Sequence, residues 1–193
     1  MNNKKISNNI FGEMTFHDDY WKVGKKQDIN INGIIQSVKL EIDIIYIKYE
    51  KYRLGLILEE LRQYYSEHKE KLEIEKATQI LKKQEEIYQK LFIQEQGKLS
   101  HEIEEAALRK REEILEGQTE ESFAKIVGKE KAKRCFAAKT REEKLASLEL
   151  KRMRIFKDCI EITCTCDWFK PSGGFSIFED GSVEMLYVDS MSI

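Results

Sequence analysis

Reactive chemistry in this chain would have to come from its four cysteines, Cys135, Cys159, Cys164 and Cys166. The stretch CTCDWFKPSGG, residues 164–174, holds two of them one residue apart, beside Trp168 and the single proline, Pro171. Half of a zinc site, a redox pair and a pair of core side chains are the competing readings. Thiolate ligands for zinc usually sit in C-x2-C or C-x4-C pairs on turns, with two further ligands converging on them. Here Ile160, Ile162, Cys164, Cys166 and Trp168 alternate with Glu161, Thr163, Thr165 and Asp167. That period of two places both thiols on the apolar face of a strand. Cys159 falls on the opposite face by the same count, and Cys135 lies far upstream in a helix. The three histidines, His17, His68 and His101, stand alone with no ligand spacing. A buried free cysteine acts as a small hydrophobe and is chemically inert. The favoured reading is core cysteines, with no metal and no other cofactor.

Other routes to catalysis are equally bare. A nucleophile elbow, a P-loop and a dinucleotide fingerprint are all missing. Gly173-Gly174 lies between strands rather than before a helix, so it offers no phosphate cradle of the helix-terminus kind. Most carboxylates fall in runs such as KKQEEIYQK and HEIEEAALRKREE, which read as solvated helix faces. Asp18, Asp19, Asp180 and Asp189 sit at turns or strand ends, where aspartate is favoured for its local hydrogen bonds. No catalytic residue is assigned and an enzyme is not expected. Binding needs only exposed aromatics and complementary charge. Tyr20, Trp21, Phe169 and Tyr187, at sheet ends or turns, are the candidate partner-binding residues.

The elements that would carry these residues follow from hydrophobic period and turn chemistry. Residues 1–10 are polar and Asn-rich and read as a flexible tail. FGEMTF and YWKVGKK flank His17-Asp18-Asp19 as a hairpin. Asn32-Gly33 marks a second hairpin, because both central residues of its turn need positive φ. Val38, Leu40, Ile42 and Ile44 then alternate with Lys39, Glu41 and Asp43. From Leu54 the spacing changes to three and four, through Ile57, Leu58, Leu61, Tyr64 and Tyr65, the stripe of an amphipathic helix. A second helix carries Ala77 to Leu91 and ends at Gly97. A third is capped by Ser100 and stopped after Leu115 by Gly117, and a short one runs from Thr119 to Gly128. Thr140 to Glu143 form a capping box opening a helix that carries Leu145, Leu148, Met153 and Phe156. FSIFEDGSVEMLYV closes the chain as a hairpin around Asp180-Gly181. Strands at both ends around helices predict one α+β domain over 11–193. Its antiparallel sheet is built from the N- and C-terminal strands, and the helical insertion covers about 46–156.

Composition sets the outer bounds. The chain has 193 residues, 35% of them charged, and a formal net charge of −2. That balance gives no general pull toward nucleic acid or an anionic membrane. No apolar run approaches the roughly 20 residues of a membrane span. With no secretory leader in MNNKKISNNIFG and free thiols expected, a cytoplasmic location follows. Charge is nonetheless uneven. Residues 125–157 hold twelve Lys/Arg against four Asp/Glu, and residues 85–121 hold eleven acids against five bases. Mutual attraction of the two segments is the favoured explanation. A basic surface for nucleic acid is the alternative.

FGEMTFHDDYW at the start and FSIFEDGSVEMLYVD at the end resemble the termini of a family of small bacterial domains of unknown function. That family is associated with immunity proteins of polymorphic toxins. The resemblance implies a non-catalytic cytoplasmic protein that binds another protein, such as a cognate toxin. It carries over no functional residue. The competing reading is a nucleic-acid-binding or regulatory protein that uses the basic 125–157 segment.

Overall fold

The computed structural model describes residues 5–17, 20–43, 81–156, 159–169 and 172–187. Eight strands form one sheet in chain order: β1 (Lys5–Asn8), β2 (Gly12–His17), β3 (Tyr20–Ile31), β4 (Ile34–Asp43), β5 (Glu149–Ile155), β6 (Cys159–Thr165), β7 (Gly173–Phe178) and β8 (Val183–Tyr187). The N- and C-terminal strands thus share a sheet around a helical middle, and the architecture is α+β. Neighbours run antiparallel except β4 and β5, which pair in parallel. Parallel strands cannot be joined by a tight turn and need a long crossover. The helical segment is that crossover.

Register explains why the two halves cohere. Leu40, Met153, Ile162, Phe175 and Met185 are successive cross-strand partners from β4 to β8. Ile42, Ile155, Ile160, Ile177 and Val183 form the adjacent row. All ten are buried. On the other face, Lys39, Arg152 and Thr163 are partners, as are Glu41, Arg154 and Glu161. Period-two patterning on neighbouring strands therefore builds one apolar and one polar face. Glu41 is the exception, only 8% exposed, and it accepts from the Arg154 guanidinium at 3.1 Å.

The helices close over the apolar rows. Residues 81–88 are helical (α1) and pass into a π-helical turn at Gln89–Gln94. Then come α2 (Gln96–Leu115), α3 (Glu120–Val127), α4 (Lys129–Ala137) and α5 (Arg141–Leu145). Ile87, Tyr88, Leu91 and Phe92 join Leu99, Ile103, Ala106 and Ala107 in the same buried cluster as the sheet rows. The buried Gln84 side chain donates to the Ile155 carbonyl at 2.9 Å, tying α1 to β5. Among the described residues, no helix is long and apolar enough to cross a membrane.

Several turn signals read from sequence hold. Asn32 and Gly33 both have positive φ, 54° and 75°, at the β3–β4 hairpin. Thr140 and Glu143 form the expected capping box. Lys144 pairs with Glu112 at 3.2 Å, and Arg141 with Glu104 at 2.7 Å, so the basic segment does meet the acidic helix.

Other expectations need correction. The sheet is not wholly antiparallel. Lys5–Asn8 of the expected tail forms β1, turned into β2 by the Asn8 carboxamide, which accepts from the Ile10 and Phe11 amides. The insertion does not stay helical to 156. Its last helix ends at Leu145, and Glu149–Ile155 is strand β5. A register shift between Leu150 and Arg152 sets Leu150 and Met153 three residues apart on the buried face, which imitates helical spacing. Nor does Gly97 end a helix or Ser100 begin one, for both lie inside α2. The break falls two residues earlier, at Glu95 (φ −116°, ψ 22°), where the π-helical turn gives way to α2, and Gly97 stands exposed in the first turn of α2. The helix expected from Leu54 to Tyr65 lies outside the described residues.

Candidate functional site

Cys164 and Cys166 are core side chains. They are 0% and 5% exposed. Burial pushes the Cys164 thiol up to about 12, against a smaller opposing effect of a hydrogen bond from the Gly173 backbone. Burial also raises Cys166, although the Trp168 and Phe169 amides hydrogen-bond its sulfur. Cys135 is buried and shifted up for the same reason, and Cys159 is half-buried. Among the described residues, no three His, Cys, Asp or Glu side chains are grouped to hold a metal ion. Burial of these sulfurs in a strand's core face disfavours their thiolate form.

The described turn carboxylates are occupied by local structure. Asp180 accepts from the Ser182 amide at 2.8 Å and hydroxyl at 2.6 Å, which holds its carboxyl below the usual range. Asp167 clamps the Arg134 guanidinium through two bonds, of 2.6 and 3.0 Å. Glu143 caps α5, accepting from the Lys139 and Thr140 amides, and is lowered by those bonds. Each carboxylate so engaged is a structural acceptor rather than a poised base. Asp18, Asp19 and Asp189 lie outside the described residues.

The four aromatic candidates do not come together. Phe169 is 1% exposed, and its ring lies 3.3 Å from where a Cβ on Gly173 would stand. It fills the core beside β7 and cannot meet a partner. Sequence placed it at a turn, and a turn at 167–168 does precede it, but the glycine at 173 leaves room for the ring to enter the core. Tyr20 and Trp21 open β3, with Trp21 in register with Phe16 and Ile42. Tyr187 ends β8, in register with Gly173.

The two most exposed large apolar side chains among the described residues lie instead at the other end of β3. Ile34 and Ile35, at the tip of the β3–β4 hairpin, are 62% and 68% exposed. Adjacent strand residues point to opposite faces, so the hairpin shows an isoleucine on each side. Beside it runs an open groove of about 590 Å³, bounded by the hairpin and the first half of α2. Its lining includes Ile35, Asp28, Glu104 and His101, and no lysine or arginine. The tip is tied down. Glu104 accepts from the Asn32 amide at 2.7 Å and from Arg141 at 2.7 Å, while Gln96 donates to the Asp28 carbonyl at 3.0 Å. Sequence did carry a signal for this surface. Two successive isoleucines directly after Asn32-Gly33 cannot both face one core.

These features define an α+β protein with a braced, apolar hairpin tip beside a polar groove, and no assembled catalytic constellation among the described residues. No protein-family model, characterised relative or solved structure matches the chain.

Proposed function

We propose that this chain is a non-catalytic protein-binding protein that engages its partner through the β3–β4 hairpin tip. The observation that carries the reading is the adjacent pair Ile34 and Ile35, each more than half exposed at a tip held rigid by Glu104 and Gln96. Large apolar side chains on a braced element lose little conformational entropy on binding, and their burial supplies the favourable term. The groove beside them is lined by polar groups, among them Asp28, Gln96, Ser100 and His101, with Glu104 already paired to Arg141, so a complementary partner presents an apolar side chain flanked by hydrogen-bonding groups. A toxin neutralised in the cytoplasm is the partner class that the resemblance of the two termini supplies.

The nucleic-acid alternative has less support. Within the basic segment, Arg134, Arg141 and Lys144 are already paired with Asp167, Glu104 and Glu112. Phosphate binding draws its strength from unneutralised cations.

The test is affinity capture from the native host with the wild-type chain and with the Ile34→Ser/Ile35→Ser variant. The reading expects one stoichiometric protein partner, lost from the variant while the variant's Tm stays near wild type. Equal recovery by both chains would refute it, as would salt-sensitive recovery of RNA or DNA in place of protein.

A further inference from the structure

The polar face of the sheet carries two neighbouring cross-strand rows of opposite character. In one row Lys22, Glu41, Arg154 and Glu161 are successive partners from β3 to β6, so charge alternates in sign. In the next, Lys26, Lys39 and Arg152 are successive partners from β3 to β5, and Thr163 and Gly174 continue it. Three cations therefore stand side by side over about 10 Å, with no acid in their row. Like charges placed directly opposite each other on a sheet are destabilising. The fold gains nothing from such a row.

The nearby carboxylates do not neutralise it. Glu41 is shared by Arg154 at 3.1 Å and Arg152 at 3.6 Å. Asp28 accepts from the Ser37 hydroxyl. Lys26 and Lys39 make no ion pair among the described residues. From the Asp28–Ser37 pair to the Lys22–Glu41 pair, this face carries five cations, Lys22, Lys26, Lys39, Arg152 and Arg154, against Asp28 and Glu41. Of these cations all but Arg154 are exposed. Neighbouring strands are closer than the Debye length of about 8 Å at physiological salt, so the row acts as one field.

The row is continuous with the hairpin tip. Ile35, Ser37 and Lys39 share this face of β4, and Ile35 is 68% exposed. We propose that the partner engaged at the tip extends over β3, β4 and β5 and sets an acidic surface, of aspartate or glutamate side chains, against Lys26, Lys39 and Arg152. The proposal rests on the reading of the tip as a protein-binding surface and supplies the chemistry of that partner. A protein suits this face better than a nucleic acid. Asp28 and Glu41 stand inside the patch, where they repel a phosphate chain. An exposed isoleucine beside lysines fits a mixed apolar and acidic surface. Carboxylates set against the row also offset its internal repulsion, so binding relieves what the free chain bears.

The experiment uses the full chain labelled with nitrogen-15, titrated with an oligoglutamate peptide and with an oligouridylate of equal charge. The peptide is expected to shift the amides around Lys26, Lys39 and Arg152 saturably, and to bind more weakly as salt rises. Lys26→Gln/Lys39→Gln is expected to weaken it about fivefold, the loss of two exposed ion pairs. Lys26→Arg/Lys39→Arg should bind as the wild type does. Without peptide, the glutamine variant should have the higher Tm at low salt, and the gap should close at high salt. A lower Tm would mean that the lysines serve the fold, and would overturn the proposal. So would absence of a saturable shift, undiminished affinity in the glutamine variant, lost affinity in the arginine variant, equal shifts at the lysines of α4, or tighter binding of the oligouridylate. These outcomes leave the tip untouched. Its reading fails on a different result, equal recovery of partner by the wild type and by Ile34→Ser/Ile35→Ser.

Discussion

The contact between Phe169 and Gly173 gives a sharp test of the core. A Cβ placed on Gly173 would stand 3.3 Å from a Phe169 ring carbon and 3.2 Å from Met185 Cε. Both distances are tighter than ordinary van der Waals contact, so Gly173→Ala overpacks the site and should cost about 1–3 kcal/mol. Phe169→Ala empties a fully buried ring position and should cost about 3–5 kcal/mol. Together they should not add. With the ring gone, the new methyl enters vacated space, and only the flexible end of Met185 has to move. Alanine also removes about 0.4–1 kcal/mol of unfolded-chain freedom relative to glycine where the backbone tolerates it. In the Phe169→Ala background, Gly173→Ala should therefore be neutral or stabilising, a coupling of at least about 1 kcal/mol. Urea unfolding followed by far-ultraviolet circular dichroism on all four proteins measures it, provided the m-values agree. Additivity to within about 0.5 kcal/mol would refute the reasoning, because it would mean that the ring and the glycine do not share one space.

Other outcomes follow from the same geometry. With its thiol near 12, Cys164 is ionised to about one part in ten thousand at pH 8, so iodoacetamide should modify half-buried Cys159 first and Cys164 only on unfolding. Peptide mass mapping after timed labelling checks this, and Cys164→Ala should cost on the order of 1 kcal/mol. The Glu143 carboxyl is lowered in the folded chain by the amides it caps. Its stabilising effect is therefore present above the unfolded carboxylate range and lost as pH falls through the folded value. Glu143→Gln should lower Tm at neutral pH, and the gap should close in acid. Glu104→Gln should weaken the bond to the Asn32 amide and speed that proton's exchange with solvent, read by NMR, without unfolding the sheet.

Much of the fold could be read from sequence because its signals are local. The positive φ at Asn32-Gly33 and the reciprocal bonds of Thr140 with Glu143 each need only a few neighbouring residues. The polar–apolar alternation of β4 and β6 is likewise intact in the chain. The misreadings came where long-range structure reshapes a local pattern. The register shift after Leu150 breaks the period of β5 and disguises a strand as a helix. Gly97 reads as a stop, yet the break falls at Glu95, where the π-helical turn gives way to α2, a shift of two residues that no local signal marks. The candidate site was legible only in part. Phe169 looked available because a turn was expected around it, and nothing local reveals that Gly173 opens space for its ring. Ile34 and Ile35 carried their signal in plain adjacency.

The central claim, a protein partner at the β3–β4 tip, is tested most directly by site-specific photocrosslinking in the native host. A benzophenone amino acid at position 34 or 35 should yield one discrete protein adduct. The same probe at Ile93 or Ile126, which are 61% and 52% exposed elsewhere on the chain, should yield none. Adducts of the same pattern at all four positions, or none at 34 and 35, would contradict the account.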